Sequence, residues 1–591
     1  MVEEKSKKLG LALSGGGFRA AFFHIGVLAR MANSGMLRHV EVISTVSGGS
    51  IIGALYYLHV KKLLEEKRDD EITDEDYQEI IVKIEVDFLK AVQRNFRLRT
   101  FLNPIKNLRM SLPNYSRSDH IGELYDKYLY RHVLNPKNTD AIQMRYLKIQ
   151  PCDETSSFCP KEGNSSRKAK VPTLMINATV LNNGHNWCFS AEGMGEPEFS
   201  EVLQSNPLNG EIDKNFILKK VESYKDICEH GDFELGLAVA ASACLPGVFA
   251  PLAISNLYYE GVRVQLVDGG VHDNQGIIGL LDHHYPCTHF IISDASGQMN
   301  DEKEPGVQIP SVLTRTNSIL MDRVREQQLS ALTKEYSDDV AFLHLKKGLP
   351  VEEVPYYKKH GEPSSKCRKY EIEPSAKEFG VNECVQRCLS DVRTDLDSFS
   401  DVEAFSLMLD GYKMSKYEFN KQNIKTFIAD EHLKEKEYEF FKMDKWVSAS
   451  AVDPYYKRML EASSMRFFRA LGINKQAKVT SVIAVMLLFV VFVTSYGQEF
   501  VQWTKEPIKK GTILVILLLI FLLSISYFNR YRASYSSVIV QFLLIGLPTA
   551  LVLLIGCIFI WIYLFTFDRL FLYLGRFDVF EKRQKKGGFK K

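Results

Sequence analysis

The hydrophobic pattern divides the chain into a mixed part and an apolar part, with a boundary near Lys478. Roughly the first 475 residues mix charged and apolar positions at the periods of ordinary strands and helices. Beyond the boundary, three stretches carry no charged residue: 479–498, 511–528 and 533–567. Because a membrane helix needs about 20 apolar residues, the first two stretches each predict one transmembrane helix. The third predicts a long kinked helix, a re-entrant hairpin or two short crossings.

Short apolar strands alternate with amphipathic helices in the first 300 residues. The strands lie in the segments KLGLALSGGG, VEVISTVSGG, TLMINATV, VQLVDGG and THFIISDAS. This alternation predicts an α/β sheet. Between about residues 60 and 170 the pattern is helical and polar, which predicts a helical insertion over one end of the sheet. A second, mainly helical extension is expected over 346–475.

Composition and charge narrow the classes of partner. The 591 residues carry 74 Lys and Arg against 72 Asp and Glu, and the first 475 residues show no basic patch, so we expect no nucleic-acid partner. Ten cysteines lack the spacing of metal ligands, so neither a metal nor another cofactor is expected. The N-terminus does not resemble a secretory signal, which predicts a cytoplasmic location for the mixed part.

The C-terminal 24 residues, 568–591, carry eight basic residues against three acidic ones. A basic tail favours the cytoplasmic side of a membrane. Because the mixed part is expected on that side too, the number of complete membrane crossings is predicted to be even.

The first motif that could take part in catalysis or ligand binding is SGGGFRA, placed between an apolar strand and a helix. Its glycines, Gly15, Gly16 and Gly17, would expose backbone N–H groups at a helix N-terminus, where an anion or a developing oxyanion binds. The glycines also fit a dinucleotide fingerprint. That fingerprint requires an acidic residue at the end of the next strand, and Ser47 stands there instead, so an oxyanion hole is favoured.

The second motif is TVSGGS, in which Ser47 lies between a strand and a helix. This context is typical of a nucleophile elbow, where a sharp turn lifts the hydroxyl above the sheet. Gly49 is kept from the G-x-S-x-G pattern, whereas Thr45 replaces its first glycine. The motif follows the glycine-rich segment by about 30 residues, which favours a nucleophile over a simple turn.

The third motif, DGGVHDN, also follows an apolar strand and leaves the Asp268 carboxylate at the sheet edge. A serine nucleophile needs a general base within hydrogen-bond reach. Two alternatives remain at this point: His272 could complete a conventional triad, or Asp268 could take the serine proton directly. Structural roles are favoured for His24 and His272, and helix capping for Asp294.

The segments SGGGFRAAFFHIGVL, TVSGGS, ASACLPGVFAPL and DGGVHDNQGI resemble, in this order and spacing, the patatin-like phospholipases. The resemblance spans about residues 8–345, and RTDLDSFSDVEAFSLMLDGY is a further similar stretch. It implies a three-layer α/β/α sandwich related to cytosolic phospholipase A2, and a Ser/Asp dyad. The implied roles are nucleophile for Ser47, base for Asp268, oxyanion hole for Gly15, Gly16 and Gly17 with support from Arg19, and motif support for Gly49, Gly269 and Gly270.

These observations predict a membrane-anchored serine acyl hydrolase that cleaves phospholipid or lysophospholipid through an acyl-enzyme. The expected divisions are a catalytic domain over 1–345, the extension over 346–475, transmembrane helices over 476–567 and a basic cytoplasmic tail over 568–591. An acyltransferase or a neutral-lipid lipase would use the same site. An inactive membrane scaffold is the third hypothesis, and Thr45 is its only support.

Overall fold

The computed structural model describes residues 7–473 with short gaps, a few positions between 479 and 487, and residues 556–586. The gaps within the first range are 111–114, 198–216, 222, 228, 282–285, 297–298, 300, 360, 372–374, 376, 421–422 and 430–432. Nearly all of the predicted membrane stretch at 479–498, the whole of 511–528 and most of 533–567 lie outside the described residues.

A mixed sheet forms the centre of the molecule. Its strands lie in the order β5-β4-β3-β2-β1-β8-β9, and β7 pairs with both β3 and β6. Strands β2, β1, β8 and β9 run parallel to their neighbours, as does β3 to β2, whereas β4, β5, β6 and β7 pair antiparallel. A separate hairpin pairs β10 with β11. The strands are Leu9–Leu13 (β1), Val40–Val46 (β2), Thr173–Val180 (β3), Asn186–Phe189 (β4), Met194–Gly195 (β5), Leu252–Ile254 (β6), Val264–Asp268 (β7), His289–Asp294 (β8), Val340–His344 (β9), Val351–Glu353 (β10) and Arg368–Tyr370 (β11).

Helices cover both faces of this sheet. The longer ones are Gly17–Asn33 (α1), Gly48–Glu66 (α2), Asp74–Val92 (α3), Arg117–Tyr125 (α4), Leu235–Ser242 (α5), Ile309–Glu335 (α6), Glu383–Ser390 (α7), Asp401–Glu418 (α8), Pro454–Ala462 (α9), Gly556–Leu574 (α10) and Phe577–Lys586 (α11). Short helices are Phe96–Arg99, Pro104–Arg109, Arg131–Leu134, Pro160–Gly163, Gly270–Asp273, Ile277–Leu280, Asp444–Val447 and Arg469–Ile473. The predicted α/β fold is therefore confirmed.

The central strands β1 and β8 are buried along their whole length, as expected for parallel strands covered on both faces. One face packs against α1, which in turn lies against α8. The two helices approach so closely that a Cβ on Gly26 would come within 1.8 Å of the Met408 carbonyl oxygen. Helix α8 thus belongs to the same hydrophobic core as the sheet, although it comes from the segment predicted as an extension. The division into domains stays a prediction.

The C-terminal segment is not a free basic tail over its described part. Asp568 is buried and accepts hydrogen bonds from Ser398 Oγ (2.6 Å) and Asn95 Nδ2 (3.2 Å). Phe580 in α11 is fully buried against Trp446, with ring centroids 4.9 Å apart. Within the described residues one helix, α10, is long and apolar enough to cross a membrane.

Candidate active site

Ser47 occupies a sharp turn between β2 and α2. Its backbone adopts φ 50° and ψ −114°, in a region that non-glycine residues rarely adopt and that is often found at functional sites. The Ser47 amide donates to Ser242 Oγ in α5 at 2.9 Å, which fixes the turn from the side. The strand–turn–helix context required of a nucleophile elbow is present.

Glycines allow the elbow to touch the glycine-rich loop. A Cβ on Gly48 would lie 2.1 Å from the Gly17 carbonyl oxygen, and one on Gly49 would lie 2.1 Å from the Leu13 carbonyl oxygen. Since real Cβ atoms never approach a backbone oxygen that closely, any larger residue would push the two loops apart. The Ser-Gly-Gly sequence therefore sets the distance between the serine and the loop.

Thr45 fits the elbow without disturbing it. Its hydroxyl donates to the Met175 carbonyl at 3.0 Å and accepts from Ser50 Oγ at 3.0 Å. Its methyl group occupies space left by a glycine in the following helix, because a Cβ on Gly53 would lie only 2.5 Å from Thr45 Cγ2. The departure from the G-x-S-x-G pattern is thus compensated within the chain.

Asp268 ends β7 beside the serine. Its Oδ1 accepts a hydrogen bond from the Gly270 amide at 2.8 Å. Burial raises the pKa of the Asp268 carboxyl to about 6, while the hydrogen bonds from Gly270 and the Ser47 side chain oppose this rise. A carboxylate that titrates just below neutral pH is suited to act as a general base.

The glycine-rich loop leaves two amides available for an anion. The Gly15 amide donates to the Asn274 carbonyl at 2.9 Å, and the Phe18 amide donates to the Asp395 carbonyl at 3.0 Å. The Gly16 and Gly17 amides donate to no other described residue, and both residues line the cavity that contains Ser47. These two N–H groups can therefore stabilise an oxyanion, whereas Gly15 supports the loop from behind.

Arg19 does not line the cavity. Its guanidinium donates to the carbonyl oxygens of Val392 (2.7 Å) and Ser390 (3.1 Å), and to that of Ala295 (3.1 Å). These bonds tie the start of α1 to the end of β8 and to the segment after α7. Arg19 thus acts as a positioning residue for the loop.

Three other polar residues considered from the sequence lie outside the cavity lining. His24 lies between the Ser14 carbonyl oxygen, 3.0 Å from Nε2, and Ser293 Oγ, 2.7 Å from Nδ1. His272 lies in the short helix Gly270–Asp273, which follows Asp268. The Asp294 carboxylate accepts from the Gln275 side chain at 2.9 Å and from the Ser296 amide at 3.0 Å, so it fixes a loop and caps no helix in the described part of the chain.

The cavity has a volume of about 260 Å³, and part of its wall comes from residues with no assigned role in the sequence. Asn274 supports the glycine-rich loop through its carbonyl oxygen. Its position in the DGGVHDN motif was the sequence feature that could have identified it as a site residue. Arg97, Asp395 and Arg466 come from distant segments, and Arg97 forms an ion pair with Asp395. The stretch RTDLDSFSD, which contains Asp395, was the other local signal.

One of three comparisons with known proteins identifies a family. Residues 11–281 match the family described as Patatin-like phospholipase. A search of curated proteins finds no similar sequence. Among solved structures, VipD from Legionella pneumophila aligns over 92% of this chain and 91% of its own at 11% identity and a TM-score of 0.26, a likeness too weak to carry an argument. Residues 11–281 form a patatin-like phospholipase domain, and the chain is accordingly a lipid acyl hydrolase.

Proposed function

We propose that the protein is a membrane-anchored serine hydrolase that removes a fatty acid from phospholipid or lysophospholipid through a Ser47/Asp268 dyad. The observation that carries this proposal is that Ser47, Asp268 and the amides of Gly16 and Gly17 meet in one cavity. The Ser47 side chain lies close enough to the Asp268 carboxylate to lower its pKa, and no histidine lines the described part of that cavity.

The chemistry follows from these positions. As Ser47 Oγ attacks the ester carbonyl carbon, its proton passes to Asp268, and the carbonyl oxygen accepts hydrogen bonds from Gly16 and Gly17. The tetrahedral intermediate collapses, and the departing lipid alcohol takes the proton from Asp268. Water then attacks the acyl-enzyme with Asp268 again as the base, which releases the fatty acid and restores Ser47.

The charges at the cavity support a substrate that carries a phosphate. Arg466 is exposed at the lining and pairs with no carboxylate among the described residues, so it can face an anionic group. Leu245, Val248 and Phe249 also line the cavity and are suited to an acyl chain. A neutral glyceride would leave the Arg466 charge without a partner.

The residues that follow Arg466 also support a substrate drawn from a bilayer. Phe467 and Phe468, the two residues after Arg466, are exposed apolar side chains. Phe468 contacts Tyr563 and Phe567 of α10, with ring centroids 5.4 Å and 5.0 Å apart. The part of the cavity lined by Arg466 is therefore adjacent to the helix that we propose as a membrane anchor.

Both flanks of the apolar segment are attached to the catalytic body. Arg469 precedes the segment and Asp568 lies at its end, and their side chains form an ion pair at 3.1 Å. Asp397 of the catalytic body lies 3.3 Å from the same Arg469. We therefore propose that both flanks lie on one side of the membrane, and the basic residues after Asp568 favour the cytoplasmic side.

The decisive experiment uses the purified full-length chain in detergent micelles with phosphatidylcholine, lysophosphatidylcholine and triacylglycerol as separate substrates. We expect release of fatty acid from a phospholipid, lost in Ser47→Ala and retained in Ser318→Ala, since Ser318 lines the same cavity but is not among the groups that affect the pKa of Asp268. A fluorophosphonate probe should label Ser47. Hydrolysis of triacylglycerol alone, transfer of the acyl group to a lipid acceptor, or labelling of another serine would each contradict the proposal.

A further inference from the structure

A second cavity, of about 590 Å³, lies beside α4 and shares no lining residue with the Ser47 cavity. Its walls come from the short helices at 96–99 and 104–109, from α4 and from the residues that follow α4. The volume falls in the usual range of ligand sites. Nothing in the proposed hydrolytic reaction uses this cavity.

Cationic side chains dominate its lining. Arg99, Lys106, Lys127 and Arg131 face one carboxylate, that of Glu123, among the lining residues. Glu123 is already engaged, because it pairs with Lys106, accepts from Tyr115 Oη at 3.0 Å and lies 3.0 Å from His120 Nδ1. The lining therefore has an excess of positive charge that its own carboxylate cannot neutralise.

Two of these cations have no carboxylate partner among the described residues. Arg99 donates from Nε to the Arg94 carbonyl oxygen at 2.6 Å and leaves its terminal nitrogens for another acceptor. Lys127 is exposed, and no carboxylate in the described part of the chain pairs with it. By contrast, Arg131 is paired with Asp126 at 2.7 Å. Arg99 and Lys127 are thus the two groups that an added anion would neutralise.

The positive side chains in and around the cavity repel one another, and an anion bound between them would be stabilised. Burial lowers the pKa of Lys106, and the nearby charges of Arg109 and Lys127 lower it further. A bound anion between these side chains would remove that repulsion.

The cavity is attached to the N-terminal end of α10. Cys557, the second residue of α10, donates from Sγ to the Phe101 carbonyl oxygen at 2.8 Å, and Leu102 lines the cavity. Ile105, on the neighbouring short helix, is 78% exposed although it is apolar. Because Cys557 and Asp568 of α10 both contact the protein body, α10 would act as an anchor by lying along the membrane surface. Ile105 would then meet the bilayer, and the cavity would lie at the depth of the lipid headgroups.

We propose that this cavity binds the phosphate-bearing headgroup of an anionic phospholipid in the same membrane, at a site separate from Ser47. Arg99 can bind phosphate oxygens through two parallel N–H groups, and Lys127 supplies a flexible point charge. The lipid's acyl chains would extend past Ile105 along the apolar surface of α10. Phosphate is the recognised chemistry, and its source is the bilayer.

The test measures binding by calorimetry to the full-length Ser47→Ala chain in detergent micelles, so that the probe lipid is not hydrolysed. The probes are dihexanoyl phosphatidic acid, dihexanoyl phosphatidylcholine and inorganic phosphate. We expect Arg99→Gln/Lys127→Gln to weaken phosphatidic acid binding by about tenfold or more. A matched control, Arg458→Gln/Lys434→Gln, removes the same charge from two exposed positions outside the cavity and should change the affinity by less than about twofold.

Four results would overturn the proposal. These are equal losses in both double variants, equal affinity for phosphatidylcholine and phosphatidic acid, no measurable binding of phosphatidic acid, and inorganic phosphate binding as tightly as the lipid. Should the double variant fail to fold, Lys127→Gln alone changes only an exposed side chain and should still weaken binding by about threefold. The readout is independent of hydrolysis, so a failure of the Ser47/Asp268 proposal leaves this result interpretable.

Discussion

Two buried carboxylates, Asp268 and Asp397, have opposite electrostatic surroundings. Asp268 is 6% exposed. Hydrogen bonds stabilise its charged form, but no cation is among the groups that do so. Burial therefore raises the pKa of Asp268 to about 6. Asp397 is fully buried, and burial also favours its neutral form. The charges of Arg393, 2.8 Å away, and Arg469, 3.3 Å away, outweigh that effect and hold the pKa of Asp397 below its ordinary value.

The difference distinguishes a carboxylate suited to take up a proton from one suited to a structural role. A buried carboxylate without a counter-ion takes up a proton readily, which is useful in a general base but costs stability whenever the group is charged. A carboxylate between two arginines stays charged and joins chain segments. Asp397 connects Arg393 with Arg469, and through Arg469 with Asp568 at the end of the apolar segment.

The largest expected effect is on catalysis. Asp268→Asn should lower kcat/KM about 10²–10⁴-fold, since an amide cannot take the serine proton. The same substitution should raise the free energy of unfolding at pH 8 by up to about 3 kcal/mol. The sign follows because the folded pKa, about 6, exceeds the unfolded value, so the charged form destabilises the folded state above pH 6. Esterase assays and thermal unfolding measure the two effects on one sample.

His272→Ala is the control for that experiment and should keep most of the activity. An inactive His272→Ala variant together with an active Asp268→Asn variant would mean that His272 acts as the base in a conventional triad. A loss of stability in Asp268→Asn would show that the Asp268 charge is compensated in a way that its described contacts do not reveal.

The opposite response is expected at Asp397. Asp397→Asn leaves Arg393 and Arg469 with one fewer buried counter-charge, and removal of one partner from a buried ion pair costs about 3–5 kcal/mol. Unfolding in detergent, followed by circular dichroism, measures the loss. Asp578→Asn is the matched control, because its pair with Arg576 is exposed and should contribute less than about 1 kcal/mol. Equal effects at the two positions would remove the contrast between the clusters.

The pH dependence of activity sharpens the comparison further. Only deprotonated Asp268 can accept the serine proton, so kcat/KM should fall about tenfold per pH unit below pH 6 and level off above it. His272→Ala should leave this acidic limb in place. A limb that moves in the His272 variant would assign the titration to histidine and not to Asp268.

Local patterns predict the catalytic half of the molecule well. The glycine-rich loop, the Ser47 turn and the Asp268 turn each follow a short apolar strand, and strand–turn–helix units depend on neighbours in the sequence. The parallel sheet then brings the carboxyl ends of β1 and β2 together, which places the loop beside the serine.

The other half depends on contacts that no local pattern reveals. Asp395 pairs with Arg97, almost 300 residues away in sequence, and Asp568 pairs with Arg469 across the apolar segment. A count of charges predicts a basic cytoplasmic tail over 568–591 and does not show that part of it packs against the protein. The spacing of Phe577 and Phe580 was the signal for a packed amphipathic helix, but it does not identify the surface against which the helix packs.

The smallest expected effect concerns the fit of Thr45 in the elbow. Alanine usually favours a helix over glycine by about 1 kcal/mol, yet Gly53→Ala should destabilise the protein by about 1–3 kcal/mol, because its Cβ would lie 2.5 Å from Thr45 Cγ2. Thr45→Ser removes that methyl group and keeps the hydroxyl that bonds to Met175. The double variant should therefore recover most of the lost stability, and a double-mutant cycle of thermal unfolding measures the coupling. Additive effects would mean that the two side chains do not compete for one space, and that the elbow tolerates Thr45 for another reason.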